Sequence, residues 1–373
     1  MTESDKTNIY FITGGGTGGH IYPAIAIADE LVARGEKVFY VGNPANLEFE
    51  IVKQKGFEFL PVNVHGMPRK VSFSLLKWMF ELGIAVVKSI CYIKKYKPNA
   101  IFGTGGYVSA PALIAGKITG TPFMLHDCDA NPGLVTRKLS PYAKSVSLAF
   151  DVAKTKILNE NCLISGNPIR KSFKTLSKSD ARKALSLSNK TTLCVMGGSQ
   201  GARSINDATV EILKRLSKEY DVQIIFQTGK KNFQKVIERL LKVYPDYAED
   251  KNIIIKPYFD DMVTVLKSSD IAISRSGSLS LSEIAASGIA SILVPYPFAA
   301  ADHQRKNAKF MQEKGASLYI EDDAVNGDNL FNLLLSLISD KCKLQELQNN
   351  AMSVAKFDAV DAITNELQSI AKS

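Results

Sequence analysis

Cysteine is scarce and unpaired: Cys91, Cys128, Cys162, Cys194 and Cys342 form an odd set with no C-x-x-C spacing, which argues against a disulfide framework and against zinc. No H-x-x-x-H pair or Asp/Glu/His cluster suggests any other metal. The opening MTESDKTNIY lacks a charged-then-apolar leader, so the expected compartment is a reducing cytoplasm. Neither half contains a low-complexity tract or a short repeat. Basic residues interleaved with aromatics occur only between Met67 and Lys97, and no nucleic-acid module is recognised, so a nucleic-acid partner is not expected.

What is present is enough for a large core. At 373 residues, 45% apolar and 22% charged, the chain exceeds the size at which one hydrophobic core keeps growing, which points to two domains. A formal charge of +9 implies an anionic partner without choosing among nucleotide, nucleic acid and acidic lipid. Short β-branched or aromatic runs end in Gly-rich or polar turns and lead into helix-length amphipathic stretches, the pattern of βαβ units on parallel sheets. The expected strands are Asn8–Thr13, Lys37–Val41, Ala100–Phe102, Pro122–Leu125 and Ser145–Phe150, then Thr192–Met196, Val222–Gln227, Asn252–Lys256, Asp270–Ser274 and Ala290–Val294. One strand runs into Gly14-Gly15-Gly16-Thr17-Gly18-Gly19, and another into Gly197-Gly198-Ser199-Gln200-Gly201 half a chain later. The architecture this implies is α/β, two Rossmann-like domains in tandem with parallel sheets facing a central cleft. Gly166-Asn167-Pro168 breaks the pattern within Asn161–Phe173, where the linker is expected.

Gly14, Gly16 and Gly19 satisfy G-x-G-x-x-G, a spacing that lets backbone and a helix N-terminus approach phosphates. A dinucleotide enzyme should also carry an acid at the end of the next strand, but Val38-Phe39-Tyr40-Val41 runs into Gly42 and Asn43, which counts against hydride transfer. His20 follows the glycines, with Pro23 expected in the first helical turn, so its imidazole should sit at the loop mouth as a catalytic group or simply as a cap or packing residue. Gly103-Thr104-Gly105-Gly106-Tyr107 is a second such turn, or only a tight bend. Ser276-Gly277-Ser278-Leu279-Ser280-Leu281-Ser282-Glu283 offers small residues and free N–H groups to a phosphate; Glu283 is then either a ribose anchor or an acid favouring the helix dipole. Gln304 and Asn307, after Asp302-His303, could read sugar hydroxyls or cap a helix.

Taken in order, Gly15-Gly16-Thr17-Gly18-Gly19-His20, Gly105-Gly106-Tyr107-Val108-Ser109, Gly166-Asn167-Pro168-Ile169-Arg170, Gly197-Gly198-Ser199-Gln200-Gly201-Ala202, Ser276 through Glu283, and Gln304 with Asn307 resemble the MurG family, over nearly the whole chain. These are the undecaprenyl-diphospho-muramoylpentapeptide N-acetylglucosaminyltransferases of peptidoglycan synthesis, of the glycosyltransferase family 28 type. The resemblance implies a GT-B fold with an acceptor-binding and membrane-associating domain at 1–163, a UDP-GlcNAc-binding domain at 164–352, and a helix at 353–373 crossing back onto the first domain. It implies backbone contact of Phe259 with uracil, Glu283 on the ribose, Ser199, Arg170 and the loop from Ser278 at the diphosphate, and Thr17, Gly18, Gly19 and Gln304 at the sugar. Tyr107, Asp129, Asn131, Gln200, Leu279, Ser280, Leu281 and Ser282 complete the implied substrate contacts, with no cofactor and no metal. Where the family reads His-Glu-Gln-Asn, this chain has His126-Asp127-Cys128-Asp129 followed by Ala130-Asn131, so Asp129 replaces the contacting Asn unless Asn131 serves by a two-residue slip.

The implied reaction is an inverting transfer, with His20 as base, Arg170 and helix N-termini as counter-charges, and a lipid-linked muramoyl-peptide as acceptor. Val71, Phe73, Leu75, Leu76, Trp78, Met79 and Phe80 lie among Arg69, Lys70, Lys77, Lys88, Lys94, Lys95 and Lys97, with Glu81 the single acid. Composition alone reads this as a core helix with a solvated rim; the implied acceptor turns it into an anionic membrane surface on the cytoplasmic face, bound peripherally because charges interrupt any run of about 18 apolar residues. A cell-wall synthesis complex is a further implied partner. The rivals are a UDP-sugar epimerase, which needs no lipid acceptor, another GT-B transferase, and a non-catalytic nucleotide binder.

Overall fold

The computed structural model describes residues 7–68, 73–198, 200–299 and 302–372. The core strands are nearly continuous apolar runs because helices cover both faces of a parallel sheet. In the first domain β1 (Ile9–Thr13), β2 (Lys37–Gly42), β3 (Glu58–Pro61), β4 (Ala100–Gly103), β5 (Phe123–Asp127), β6 (Ser145–Leu148) and β7 (Cys162–Ile164) form one sheet in the order β3-β2-β1-β4-β5-β6-β7. In the second, β8 (Thr192–Met196), β9 (Gln223–Gln227), β10 (Ile253–Lys256), β11 (Ile271–Ser274), β12 (Ala290–Leu293) and β13 (Leu318–Tyr319) take the order β10-β9-β8-β11-β12-β13. Registers such as Thr13↔Gly103 and Ser274↔Met196 are parallel. Strand order reverses between β1 and β4, and again between β8 and β11, and ligands of doubly wound sheets bind outside the strand C-termini at that point. Both anticipated glycine loops lie there.

All ten expected strands form. Three more, β3, β7 and β13, escape sequence reading because they are short, only partly buried and at or next to a sheet edge.

The first unit comprises residues 1–169 and 358–373, the second 170–357. The expected divisions after 163 and 352 therefore shift by several residues. Cys162–Ile164 pairs with β6, and Asn167 still bonds to His126, so the chain belongs to the first sheet beyond 163. At the far end the helix Lys341–Val354 runs past 352, and the returning helix is Ala359–Lys372. Val360, Ile363, Leu367 and Ile370 of that helix join the core under Gly18–Ala33, and Arg34 ties it down through Asp361, Asn365 and Gln368.

The helix Phe73–Tyr96 buries Ala85, Val86, Ser89 and Ile93 against the first core but leaves Phe73, Leu76, Phe80, Ile84 and Val87 more than half exposed. Those five recur at three- and four-residue spacing, so they form one stripe. Arg69, Lys70 and Val71 lie outside the described residues. Among the described residues no helix is long and apolar enough to cross a membrane.

Candidate functional site

In the first domain the helix begins at Gly18, two residues before His20, and Pro23 falls in its second turn, not its first. Helical φ values start early because Thr17 is extended and its carbonyl accepts from both His20 and Ile21 N–H. His20 thus stands in the first turn, at the dipole's positive end, half-buried. Its Nδ1 lies 2.8 Å from the Thr104 carbonyl, and Thr104 Oγ1 donates back to the His20 carbonyl at 2.6 Å. A carbonyl can only accept, so Nδ1 carries a proton, and the tautomer this selects has its lone pair on Nε2. The neighbouring turn must be glycine: Gly106 has φ +71°, and a Cβ there would meet the Gly15 carbonyl at 2.6 Å.

Beneath the first glycine loop lies Glu48, fully buried. Its carboxylate accepts from Gly16 N–H (3.2 Å), Asn43 N–H (3.3 Å) and the Asn46 amide (3.2 Å). Tyr40 holds the Gly14 carbonyl at 2.6 Å, and the Asn46 amide also donates to the hydroxyl of Tyr107. The acid missing from the tip of β2 is therefore supplied one helix later and turned onto the loop.

The segment after β5 borders the same point, with Cys128 Sγ 3.8 Å from His20 Nδ1. Asp127 closes the turn by accepting from the N–H groups of Asp129 (3.1 Å) and Gly133 (2.9 Å); burial, aided by the charge of Asp129, pushes its pKa up against those bonds. His126, wedged between Ser147 Oγ and Asn167 Oδ1, is driven down to about 4, by burial above all, and stays neutral. Asn131 is engaged by Lys156 at 2.8 Å, while Asp129 adjoins Cys128.

In the second domain the loop after β8 turns on Gly198 and Gly201, whose φ values are +82° and +75°. A Cβ on Gly201 would strike the Thr228 carbonyl at 2.0 Å, so only glycine closes this turn. Gln200, itself exposed, has its carbonyl held by Asn232 at 2.8 Å; Ser199 lies outside the described residues. After β11 the helix Ser278–Ser287 starts with Gly277 as cap and no side-chain capping bond, so no cap side chain takes the first-turn N–H groups of Ser278, Leu279 and Ser280. In the next turn Leu281 packs its side chain in the core with its N–H on the Gly277 carbonyl, and Ser282 Oγ donates to the Ser278 carbonyl.

Glu283, one turn in, pairs with Arg170 at 2.9 Å; burial pushes its carboxyl above the usual range, and the guanidinium opposes that. Arg170 also helps hold Asp261 low, where burial is outweighed by bonds from Thr264. Phe259 donates its N–H to Gln227 Oε1 at 2.9 Å. Gln304 accepts from Tyr296 N–H with its side chain and from Ser276 Oγ with its carbonyl, and Asn307 is buried on the Ser276 carbonyl. Asn307 thus fastens the loop after β11 to the helix His303–Glu313.

The structure groups Thr17, Gly18, Gly19, His20, Tyr107 and Asp129 in the first domain, and Arg170, Gln200, Phe259, Ser278–Ser280, Glu283 and Gln304 in the second. Sequence reading missed Glu48, Gln227 and Asn232 and assigned Thr104 no role. The tip of β9 was readable as the next strand end beside the switch point, whereas nothing in the sequence aims Glu48 backwards.

Residues 10–148 match the glycosyltransferase family 28 N-terminal domain and residues 192–365 its C-terminal domain. The chain is 35% identical, over 96% of its length and 98% of the relative's, to the UDP-N-acetylglucosamine–N-acetylmuramyl-(pentapeptide) pyrophosphoryl-undecaprenol N-acetylglucosamine transferase of Halothermothrix orenii. It is 37% identical to the enzyme of the same name from Caldanaerobacter subterraneus subsp. tengcongensis, covering 94% of this chain and 96% of that one. Among solved structures, MurG of Acinetobacter baumannii superposes with a TM-score of 0.77 at 25% identity, covering 98% of this chain and all of that one. A Listeria monocytogenes chain assigned as a UDP-N-acetylglucosamine 2-epimerase shares the fold alone, at TM-score 0.69 and 12% identity over 98% and 96% of the two chains.

Proposed function

Because the chain belongs to glycosyltransferase family 28, we infer how its residues divide the work of moving N-acetylglucosamine from UDP-N-acetylglucosamine onto lipid I in peptidoglycan synthesis. The transfer itself is the activity of this GT-B enzyme. In the proposed division, His20 Nε2 takes the proton from the C4 hydroxyl of the muramoyl acceptor as that oxygen bonds to the anomeric carbon. The electron pair of the bond from that carbon to the diphosphate leaves with UDP, and configuration inverts without a covalent intermediate. The observation that carries the role of His20 is its Nδ1 contact with the Thr104 carbonyl, which leaves Nε2 as the basic atom.

In the second domain the N–H groups of Ser278, Leu279 and Ser280, with Arg170, supply positive potential to the departing diphosphate. Glu283 accepts from a ribose hydroxyl and Gln304 reads the sugar. On this proposal Asp129 faces the acceptor while Asn131, held by Lys156, does not. The test is UDP release from UDP-N-acetylglucosamine with and without the lipid-diphosphate acceptor, in EDTA throughout. Acceptor-dependent release is expected; release without acceptor, or conversion of the sugar to its epimer, would overturn it.

The exposed stripe of Phe73, Leu76, Phe80, Ile84 and Val87, with Lys77, Lys88, Lys94 and Lys95 on the same helix, fits peripheral binding to an anionic membrane surface on the cytoplasmic face, where the lipid acceptor would be met. Sedimentation with phosphatidylglycerol liposomes at low salt should carry the protein down, and Phe80→Glu should release it; a protein left in the supernatant removes the proposal. A cell-wall synthesis complex is a further expected partner, tested by co-purification.

A further inference from the structure

The helix Phe73–Tyr96 presents two different faces. Its exposed stripe of Phe73, Leu76, Phe80, Ile84 and Val87 occupies one; on the other, Trp78 shares the helical spacing of Ala85 and Ser89, which are buried. Trp78 donates its indole N–H to the His65 carbonyl at 2.8 Å. One turn later the Glu81 carboxylate lies 3.4 Å from Nδ1 of the same histidine. The helix therefore grips His65 twice, once by its backbone and once by its side chain. The neighbours of His65 lead to the first glycine loop. Val64 is buried, and its carbonyl accepts from the Asn43 amide at 2.7 Å; Asn43 N–H in turn goes to Glu48, whose other oxygen takes Gly16 N–H. Gly66 stands beside the ring of Tyr107, which a Cβ there would touch at 3.8 Å, and the same ring flanks Gly16.

We propose that Trp78 is a positioning residue for the lipid-linked acceptor: through His65 it ties the stripe-bearing helix to the turn that carries Tyr107, so that seating the helix on a lipid surface improves acceptor binding. This rests on the membrane contact and the acceptor side proposed above. Lipid gives the outer face of the helix a partner, and a helix held on that face holds what is bonded to its inner face. Residues 64–66 are then already fixed beside Tyr107 and Gly16 when the acceptor arrives, and the acceptor no longer bears the cost of ordering them. The coupling is reciprocal. By whatever factor vesicles tighten acceptor binding, the acceptor tightens vesicle binding.

The test uses the full-length protein, phosphatidylglycerol vesicles and a short-chain lipid-diphosphate acceptor that stays in water, comparing wild type with Trp78→Phe, which keeps an aromatic ring and loses the N–H. With wild type, vesicles should lower the acceptor KM about fivefold, the order of one hydrogen bond's net contribution, with kcat and the KM for UDP-N-acetylglucosamine nearly unchanged. Trp78→Phe should sediment with vesicles as wild type does, yet its acceptor KM should respond to them less than about twofold. A merely structural role would move the melting temperature or both KM values and would not separate vesicle binding from its effect on the acceptor. If Trp78→Phe fails to fold, Glu81→Gln, which weakens the second grip on His65, decides by the same readout. A folded variant stimulated as fully as wild type overturns the proposal, as does a wild type that sediments with vesicles and shows no change in acceptor KM. A wild type left in the supernatant overturns the membrane reading itself.

Discussion

The two glycine loops occupy equivalent places, each after the central strand of a doubly wound sheet, yet their surroundings differ in charge. In the first domain a buried carboxylate, Glu48, takes the Gly16 N–H, and the helix that follows carries His20 clamped by Thr104. In the second, the loop is held by neutral amides, Gln227 and Asn232, and a helix start without a side-chain cap lies across the switch point. One scaffold thus hosts two sites of different polarity. On the proposed division, a proton-accepting His20 would sit beside a loop whose N–H is already taken by a carboxylate, while a leaving diphosphate would need donors that no internal anion has used. Fold alone does not say which loop is which.

The largest effect expected from breaking this contrast is at His20. His20→Ala should cut kcat by roughly a thousandfold, within the range for general-base removal, with UDP binding and melting temperature nearly unchanged. A folded variant with near-normal turnover would mean that the two loops do not divide as described. Next, Glu48→Ala should destabilise the first domain by about 2 kcal/mol, since it removes a fully buried carboxylate and strands the buried Asn43 N–H, while Gly16 N–H and the Asn46 amide lose their partner in a half-buried setting. Denaturant titration measures it, with Asn232→Ala in the second loop as the partner experiment. That bond lies at the surface and its loss should cost no more than about 1 kcal/mol; equal losses would erase the asymmetry. The smallest change concerns affinity: Glu283→Gln should raise KM for UDP-N-acetylglucosamine about tenfold and leave acceptor KM alone, because a charge-assisted bond becomes a neutral one. If acceptor KM moved instead, Glu283 would belong to the other substrate.

Local patterns were enough for the ten central strands, the two glycine loops and their helices, because apolar runs, glycine at positive φ and helix starts are decided within a few residues of chain. Gly16, Gly106 and Gly201 are required by their own backbone angles, and His20 is placed by the turn before it. Local pattern also misplaced some features by small amounts: Pro23 moved to the second turn, and the compact units divide at Ile169 and Phe357. The edge strands β3, β7 and β13 were illegible because a few half-buried residues carry little periodicity.

Amino-acid sequence by itself determined the tandem doubly wound architecture, the glycine turns and, through several motifs in order, the family. Only tertiary structure decided that Glu48 folds back 32 residues to meet Gly16, that Thr104 sets the tautomer of His20 across 84 residues, and that Gln227 joins Gly198 to Phe259. Those contacts join strand ends that are neighbours in the sheet and distant along the chain, and the polarity of a site depends on which donors and acceptors that adjacency satisfies.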